Sequence, residues 1–232
     1  MSNTSNGPAT KGSKFWMQYI VNSNLKNKLN EEIASNIQWL SPLRGENSDY
    51  LEYELRQNYI YNSIGINDIE KKELFSFWPN RQPQWDGIAL SQDGRTIYLV
   101  EAKAHLSELK SKVSARSEIS RNLIVNSMRE VFDKHYPGGD FSLWTNGYYQ
   151  LANRLTFLNK LNERLKVKKL EIKLILLNFV GDYTYKPTDA IEWENHYNEV
   201  FKDMTGVESI PENVIVINFP VDQECVDPNL LI

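Results

Sequence analysis

Cysteine is almost missing from this chain: there is one, Cys225, in 232 residues. A lone thiol forms no internal disulfide and no multi-thiolate zinc site, so a reducing, cytoplasmic setting is the expectation and oxygen is left to ligate any metal. Histidine is scarce too. His105, His135 and His196 stand at least 30 residues apart, which excludes a sequence-local His pair of the zinc-protease kind. No run approaches the roughly 18 consecutive apolar residues of a membrane-spanning helix; Leu170 to Val180 is broken by Glu171, Lys173 and Asn178. The opening MSNTSNGPATKGSK lacks the apolar core of a secretory signal and reads as a disordered leader over residues 1–13. There is no G-x-x-x-x-G-K-[ST] phosphate loop, so energy-driven action would need a partner chain. With no internal repeat and no long Pro/Gly/Ser linker, residues 14–232 read as a single domain.

What is present suffices for a sizeable core: 41% of the residues are apolar and six are Trp. The net charge of −4 argues against indiscriminate coating of nucleic acid, but the mean conceals a division. Residues 141–169 hold six bases and one acid, whereas from Asp182 onward eleven acids face two bases. Arg154, Lys160, Arg164 and Lys166 offer phosphate contacts on one reading and a solvated helix face on the other. Trp144, Tyr148 and Tyr149 suit either base stacking or the core.

Apolar spacing of mostly three to four predicts a helix from Lys14 to Leu40, ended by Ser41-Pro42, and a second from Tyr50 to Tyr59 after the capping residues Asn47-Ser48-Asp49. Two extended segments, Trp85–Ser91 and Thr96–Lys103, flank an Asp93-Gly94 turn. Helical material follows over 106–135 and 143–165, then a strand over 170–180, a helix over 188–204 capped by Thr188 or Asp189, and a strand over 214–219. The expected class is α/β, a small mixed β-sheet with a central hairpin flanked by helices.

The hairpin carries the chemistry. With Asp93 and Gly94 at the centre of a type I′ turn, each cross-strand pair keeps a residue-number sum of 187, which sets Asp86 opposite Glu101. Opposed residues have Cβ atoms about 4.5–5.5 Å apart on one side of the sheet, and Lys103, two residues on from Glu101, shares that side. Two opposed carboxylates repel unless a cation or a shared proton intervenes. A hard divalent cation, Mg²⁺ with Mn²⁺ as substitute, would offset the repulsion, and Lys103 would stabilise an anionic transition state. Metal and lysine beside two carboxylates fit hydrolysis of a phosphodiester, which calls for a polarised phosphoryl oxygen and an activated water. The competing reading is a hairpin-end salt bridge with one extra acid.

Trp85-Asp86-Gly87, followed by Glu101-Ala102-Lys103 after the apolar run Ile97–Val100, resembles the PD-(D/E)XK nuclease superfamily, also called restriction-endonuclease-like. Trp85 stands where the superfamily has Pro, with Pro83 two positions earlier. The resemblance implies an αβββαβ core in which Asp86 and Glu101 bind Mg²⁺ and Lys103 assists water activation or charge stabilisation. It also implies an acid on a helix before the hairpin, for which Glu54 is first candidate, ahead of Glu52 and Glu46. A Gln on the following helix corresponds to Gln150, with Arg154 in place of the family's Tyr four residues on. The implied function is a metal-dependent nuclease acting on DNA, with RNA as the weaker alternative, a restriction or defence component as one setting, a homodimer as the family analogy and no membrane partner. The alternative is a catalytically silent nuclease-like fold that binds nucleic acid or protein.

Overall fold

A computed structural model describes residues 5–33, 36–45, 49–51, 53–55 and 65–226. Its strands in chain order are β1 (Ser5–Asn6), β2 (Ile37–Ser41), β3 (Tyr50–Leu51), β4 (Tyr53–Glu54), β5 (Gln84–Trp85), β6 (Gly87–Ser91), β7 (Thr96–Lys103), β8 (Glu171–Val180) and β9 (Val214–Pro220). The α-helices described are α1 (Gly12–Val21), α2 (Leu25–Ile33), α3 (Asp68–Leu74), α4 (Glu118–His135), α5 (Phe141–Asn146), α6 (Tyr149–Leu165) and α7 (Ala190–Thr205). Among the described residues no helix is long and apolar enough to cross a membrane.

The centre is a five-stranded mixed sheet in the order β2-β6-β7-β8-β9. β2, β6 and β7 pair antiparallel, and β7, β8 and β9 run parallel. Parallel neighbours require a crossover, which α4 to α6 supply between β7 and β8, and α7 between β8 and β9. Strands covered on both faces read as continuous apolar runs, and Ile97–Val100 and Leu174–Leu177 are of that kind. One face, with Ile88, Leu90, Ile97, Leu99, Leu174 and Leu176, packs with Met128, Leu155, Phe157 and Leu161 of α4 and α6. The other, with Ala89, Tyr98, Val100, Ile175 and Leu177, packs with Trp16, Met17, Ile20 and Leu29 of α1 and α2. Gly87 serves this second contact, since a Cβ there would run into the Met17 and Trp39 side chains.

The hairpin register is the expected one, from Gly87↔Val100 to Leu90↔Ile97. The turn differs in its centre. Gly94 N–H donates to the Ser91 carbonyl at 2.9 Å, so Gln92 and Asp93 are the central residues and Gly94 follows at φ 68°. A type I′ turn needs two positive φ angles, and here only glycine takes one. Asp93 Oδ1 accepts from Ser91 Oγ and Arg95 N–H, which fixes the loop without a second left-handed residue.

Several helix expectations are corrected. The segment 14–40 divides into α1, α2 and the edge strand β2, whose partner is β6. Asn22 makes the break: its amide donates to the Gln18 and Pro42 carbonyls and its oxygen accepts from Arg44 N–H. Apolar residues at 33, 37 and 40 fit a helical stripe as well as a strand start, and sheet pairing decides between them. The helix expected at 50–59 is not formed where the chain is described: β3 pairs with β1 and β4 with β5. Residues 56–59, Glu46 and Glu52 lie outside the described residues. Residues 106–135 form a 3₁₀ turn at Leu106–Leu109 before α4, and 143–165 is split at Gly147 between α5 and α6. β8, β9 and α7 fall where expected, and Asp189 caps α7 in a capping box with Glu192.

Candidate functional site

The site sits where β6 leaves the ladder. Asp86 stands at a bend between β5 and β6, and its N–H donates to the Val100 carbonyl at 3.1 Å, the residue already opposed by Gly87. Beyond that point β7 has no antiparallel ladder partner among the described residues. The Asp86 carboxylate takes over, with Oδ2 accepting from Ala102 N–H at 2.7 Å. The same bend keeps Asp86 half-buried, whereas Glu101 and Lys103 on β7 are buried.

Glu101 is held from two sides. Oε1 accepts from Lys103 Nζ, and Oε2 takes Arg154 Nε at 2.6 Å and Nη2 at 2.5 Å. Arg154 reaches across from α6 and is itself 5% exposed. Its Nη2 also donates to the Gln84 carbonyl at 2.8 Å and its Nη1 to Asn153 Oδ1 at 3.1 Å. Its guanidinium lies 4.3 Å from the centroid of the fully buried Trp85 ring. Two carboxyl groups and two cations thus share one locus.

The electrostatics separate the two acids. Burial raises the Asp86 pKa and the neighbouring Glu101 charge raises it further; Lys103, Ala102 N–H and Arg154 pull the other way, and the outcome is pushed up to about 7. Burial raises Glu101 as well, but Arg154 and Lys103, through charge and hydrogen bonds, carry it down to about 2. For Lys103 burial opposes the charge, and Glu101 and Asp86 more than offset it, so its pKa lies above the ordinary lysine value. Near neutrality Glu101 is an anion, Lys103 a cation, and Asp86 poised between its two forms.

A second polar row continues across the parallel strands. Lys103 is in register with Asn178, and Asn178 with Asn218. Asn178 accepts from Tyr197 Oη of α7 at 3.1 Å and donates to Asn218 Oδ1 at 3.0 Å. Burial, with Glu101 and Glu108 nearby, raises the Tyr197 pKa and keeps it a phenol.

Sequence reasoning named Asp86, Glu101 and Lys103, and these come together. Glu54 lies on β4, not on a helix, with its Cα opposite Gln84, two residues before Asp86; its backbone alone is described. Gln150, at the second position of α6, gives its backbone N–H to Ser111 Oγ at 2.9 Å, and its side chain makes no hydrogen bond to Asp86, Glu101 or Lys103. The residue at the site is Arg154, one turn further along the same helix face. Asn178 and Tyr197 were also missed. For Arg154 the signal was the four-residue spacing from Gln150; for Asn178 it was a polar residue inside an apolar strand.

The basic stretch is largely engaged within the molecule. Lys160 pairs with Glu130, Arg164 donates to the Glu73 and Leu74 carbonyls, and Lys168 pairs with Glu70 at 2.7 Å. Trp144 and Tyr148 are core residues, with Trp144 Nε1 donating to the Met204 carbonyl at 2.8 Å. Two cavities, of about 460 Å³ beside Phe15 and Tyr183 and about 470 Å³ beside Ile66 and Arg164, lie apart from the site: Asp86, Glu101, Lys103 and Arg154 line neither.

Among the described residues no three His, Cys, Asp or Glu side chains gather as a metal-binding group. The pair Asp86 and Glu101 nonetheless offers hard carboxylate oxygens of the kind Mg²⁺ and Mn²⁺ take. A dication between them would remove the repulsion that holds a proton on Asp86, provided Glu101 gives up one of its present cations. Comparison with protein-family models, curated proteins and solved structures finds no significant match to this chain.

Proposed function

We propose that this protein is a divalent-metal-dependent phosphodiesterase that cleaves nucleic acid, DNA before RNA. The observation that carries the reading is the convergence of Asp86, Glu101 and Lys103 at the end of the hairpin, with two acids of opposite pKa displacement beside a charged lysine. The run of sheet elements supports it: helices α1 and α2, the antiparallel strands β2, β6 and β7 with β3, β4, α3 and β5 inserted between β2 and β6, helices, then β8, an order compatible with the αβββαβ core of the resembling superfamily.

In this reading Asp86 and Glu101 hold the ion, which when bound supplies Lewis acidity toward a phosphoryl oxygen. Lys103 stays protonated and presents its ammonium to the negative charge that develops on the phosphate. Arg154 fixes Glu101 by its paired N–H groups, and Asn178, held by Tyr197 and Asn218, stands beside Lys103 in the sheet. Asp86, anchored through Oδ2 to Ala102 N–H, keeps one oxygen for other work.

The test is cleavage of supercoiled plasmid, single-stranded DNA and RNA with Mg²⁺, Mn²⁺ or EDTA. Asp86→Ala, Glu101→Ala and Lys103→Ala are each expected to lower the rate at least roughly a hundredfold with the fold retained. Undiminished cleavage by Asp86→Ala would overturn the assignment. A second reading, a silent fold that binds nucleic acid without cutting it, is favoured by one observation: both Glu101 oxygens are already occupied by cations. Its signature is retained DNA binding with no cleavage in either metal.

A further inference from the structure

Building on the reading of Asp86 and Glu101 as the metal-binding pair, we infer that Arg154 is a built-in counter-cation of Glu101 that a divalent ion must displace, so that metal binding and release of the guanidinium are one event. Glu101 is 5% exposed, and each of its oxygens accepts from a cation. A Mg²⁺ ion needs a carboxylate oxygen at about 2.0–2.1 Å. Oε2 accepts from both Arg154 Nε and Nη2, which fills its two lone-pair sites, so an ion reaches that oxygen only when Arg154 withdraws.

Arg154 is the one equipped to withdraw. Away from Glu101 its guanidinium keeps the Gln84 carbonyl, Asn153 Oδ1 and the face of Trp85. The Lys103 ammonium makes no hydrogen bond among the described residues other than to Glu101, so its departure would strand a buried charge. Charge points the same way. Arg154 and Lys103 already balance Glu101 and a fully ionised Asp86, and a dication added with neither displaced would leave a buried excess of positive charge. Arg154 thereby guards the acid pair and sets how tightly it takes metal.

Two measurements on the full chain test this. Calorimetric titration with Mn²⁺ compares the wild type with Arg154→Gln, which is expected to bind at least tenfold more tightly. Intrinsic fluorescence follows Mg²⁺ addition to the wild type and to Trp85→Phe. Departure of the guanidinium from the Trp85 ring is expected to change the wild-type emission, and that change is absent in Trp85→Phe. Equal Mn²⁺ affinity in wild type and Arg154→Gln overturns the inference while leaving the metal pair standing, as does an Mg²⁺ response identical in wild type and Trp85→Phe. The fluorescence comparison keeps the wild-type arm decisive if Arg154→Gln does not fold. Absence of Mn²⁺ binding in both proteins overturns the metal pair itself.

Discussion

Asp86 makes the protein less stable as pH rises, and Asp86→Asn isolates the effect. In the fold its pKa is pushed up to about 7 by burial and by Glu101, against a model-peptide 3.8 in the unfolded chain. The sign follows from proton counting. Between those values the folded state holds a proton that the unfolded state has released, so stability is greatest at the acid end and declines toward neutrality. At about 1.4 kcal/mol per pH unit the full window amounts to about 4 kcal/mol, and the water that still reaches half-buried Asp86 screens this to roughly 2 kcal/mol. Asparagine keeps the acceptor for Ala102 N–H and removes the charge. Urea unfolding in EDTA at pH 5, 6, 7 and 8 is the assay, read at constant denaturant slope. Asp86→Asn is expected to gain on the wild type steadily as pH rises, by roughly 2 kcal/mol at pH 8. Burial lowers the His196 pKa and gives a slope of opposite sign, which cancels in the difference between the two proteins. If Asp86→Asn is no more stable than the wild type at pH 8, the carboxylates do not repel as argued.

Glu101 behaves in the opposite way: its pKa falls to about 2 in the fold, so its contribution is complete above 4.5 and fades as pH drops toward 2, a loss that Glu101→Gln should remove from the acid limb of the stability curve. Arg154→Met leaves Glu101 with Lys103 alone in a buried setting and is expected to cost about 3–5 kcal/mol, with Glu101→Gln/Arg154→Met returning most of it; a single-variant cost below about 1 kcal/mol in chemical denaturation counts against the pairing. Gly206 ends α7 at φ 76° against the Gly138 backbone, which a Cβ would strike, so Gly206→Ala is expected to lose roughly 2–4 kcal/mol by the same assay.

Much of the site was legible because its cues are local. The spacing from Asp86 through the Gly94 turn to Glu101 sets the register, and a period of two puts Lys103 on the side of Glu101. This held although the turn centre was misplaced, because four residues separate Ser91 and Thr96 under either turn. β8 announced itself as an apolar run and α7 through its Asp189 cap. Glu54 shows the limit: the apolar spacing of Leu51, Leu55 and Tyr59 suits a helix, yet Tyr53 and Glu54 pair with Trp85 and Gln84, thirty residues later in the chain.

The sequence by itself determined the hairpin, its register and the three charged residues at its end, since turn chemistry and side-chain alternation act over a few residues. Tertiary structure alone decided that 37–41 is an edge strand and that Arg154 neutralises Glu101. Strand pairing and charge burial depend on partners some fifty residues distant, Ser91 for Ile37 and Glu101 for Arg154. A guanidinium on a helix has the same local sequence whether water or a buried carboxylate receives it; the cost of leaving Glu101 uncompensated in the interior is what draws Arg154 in.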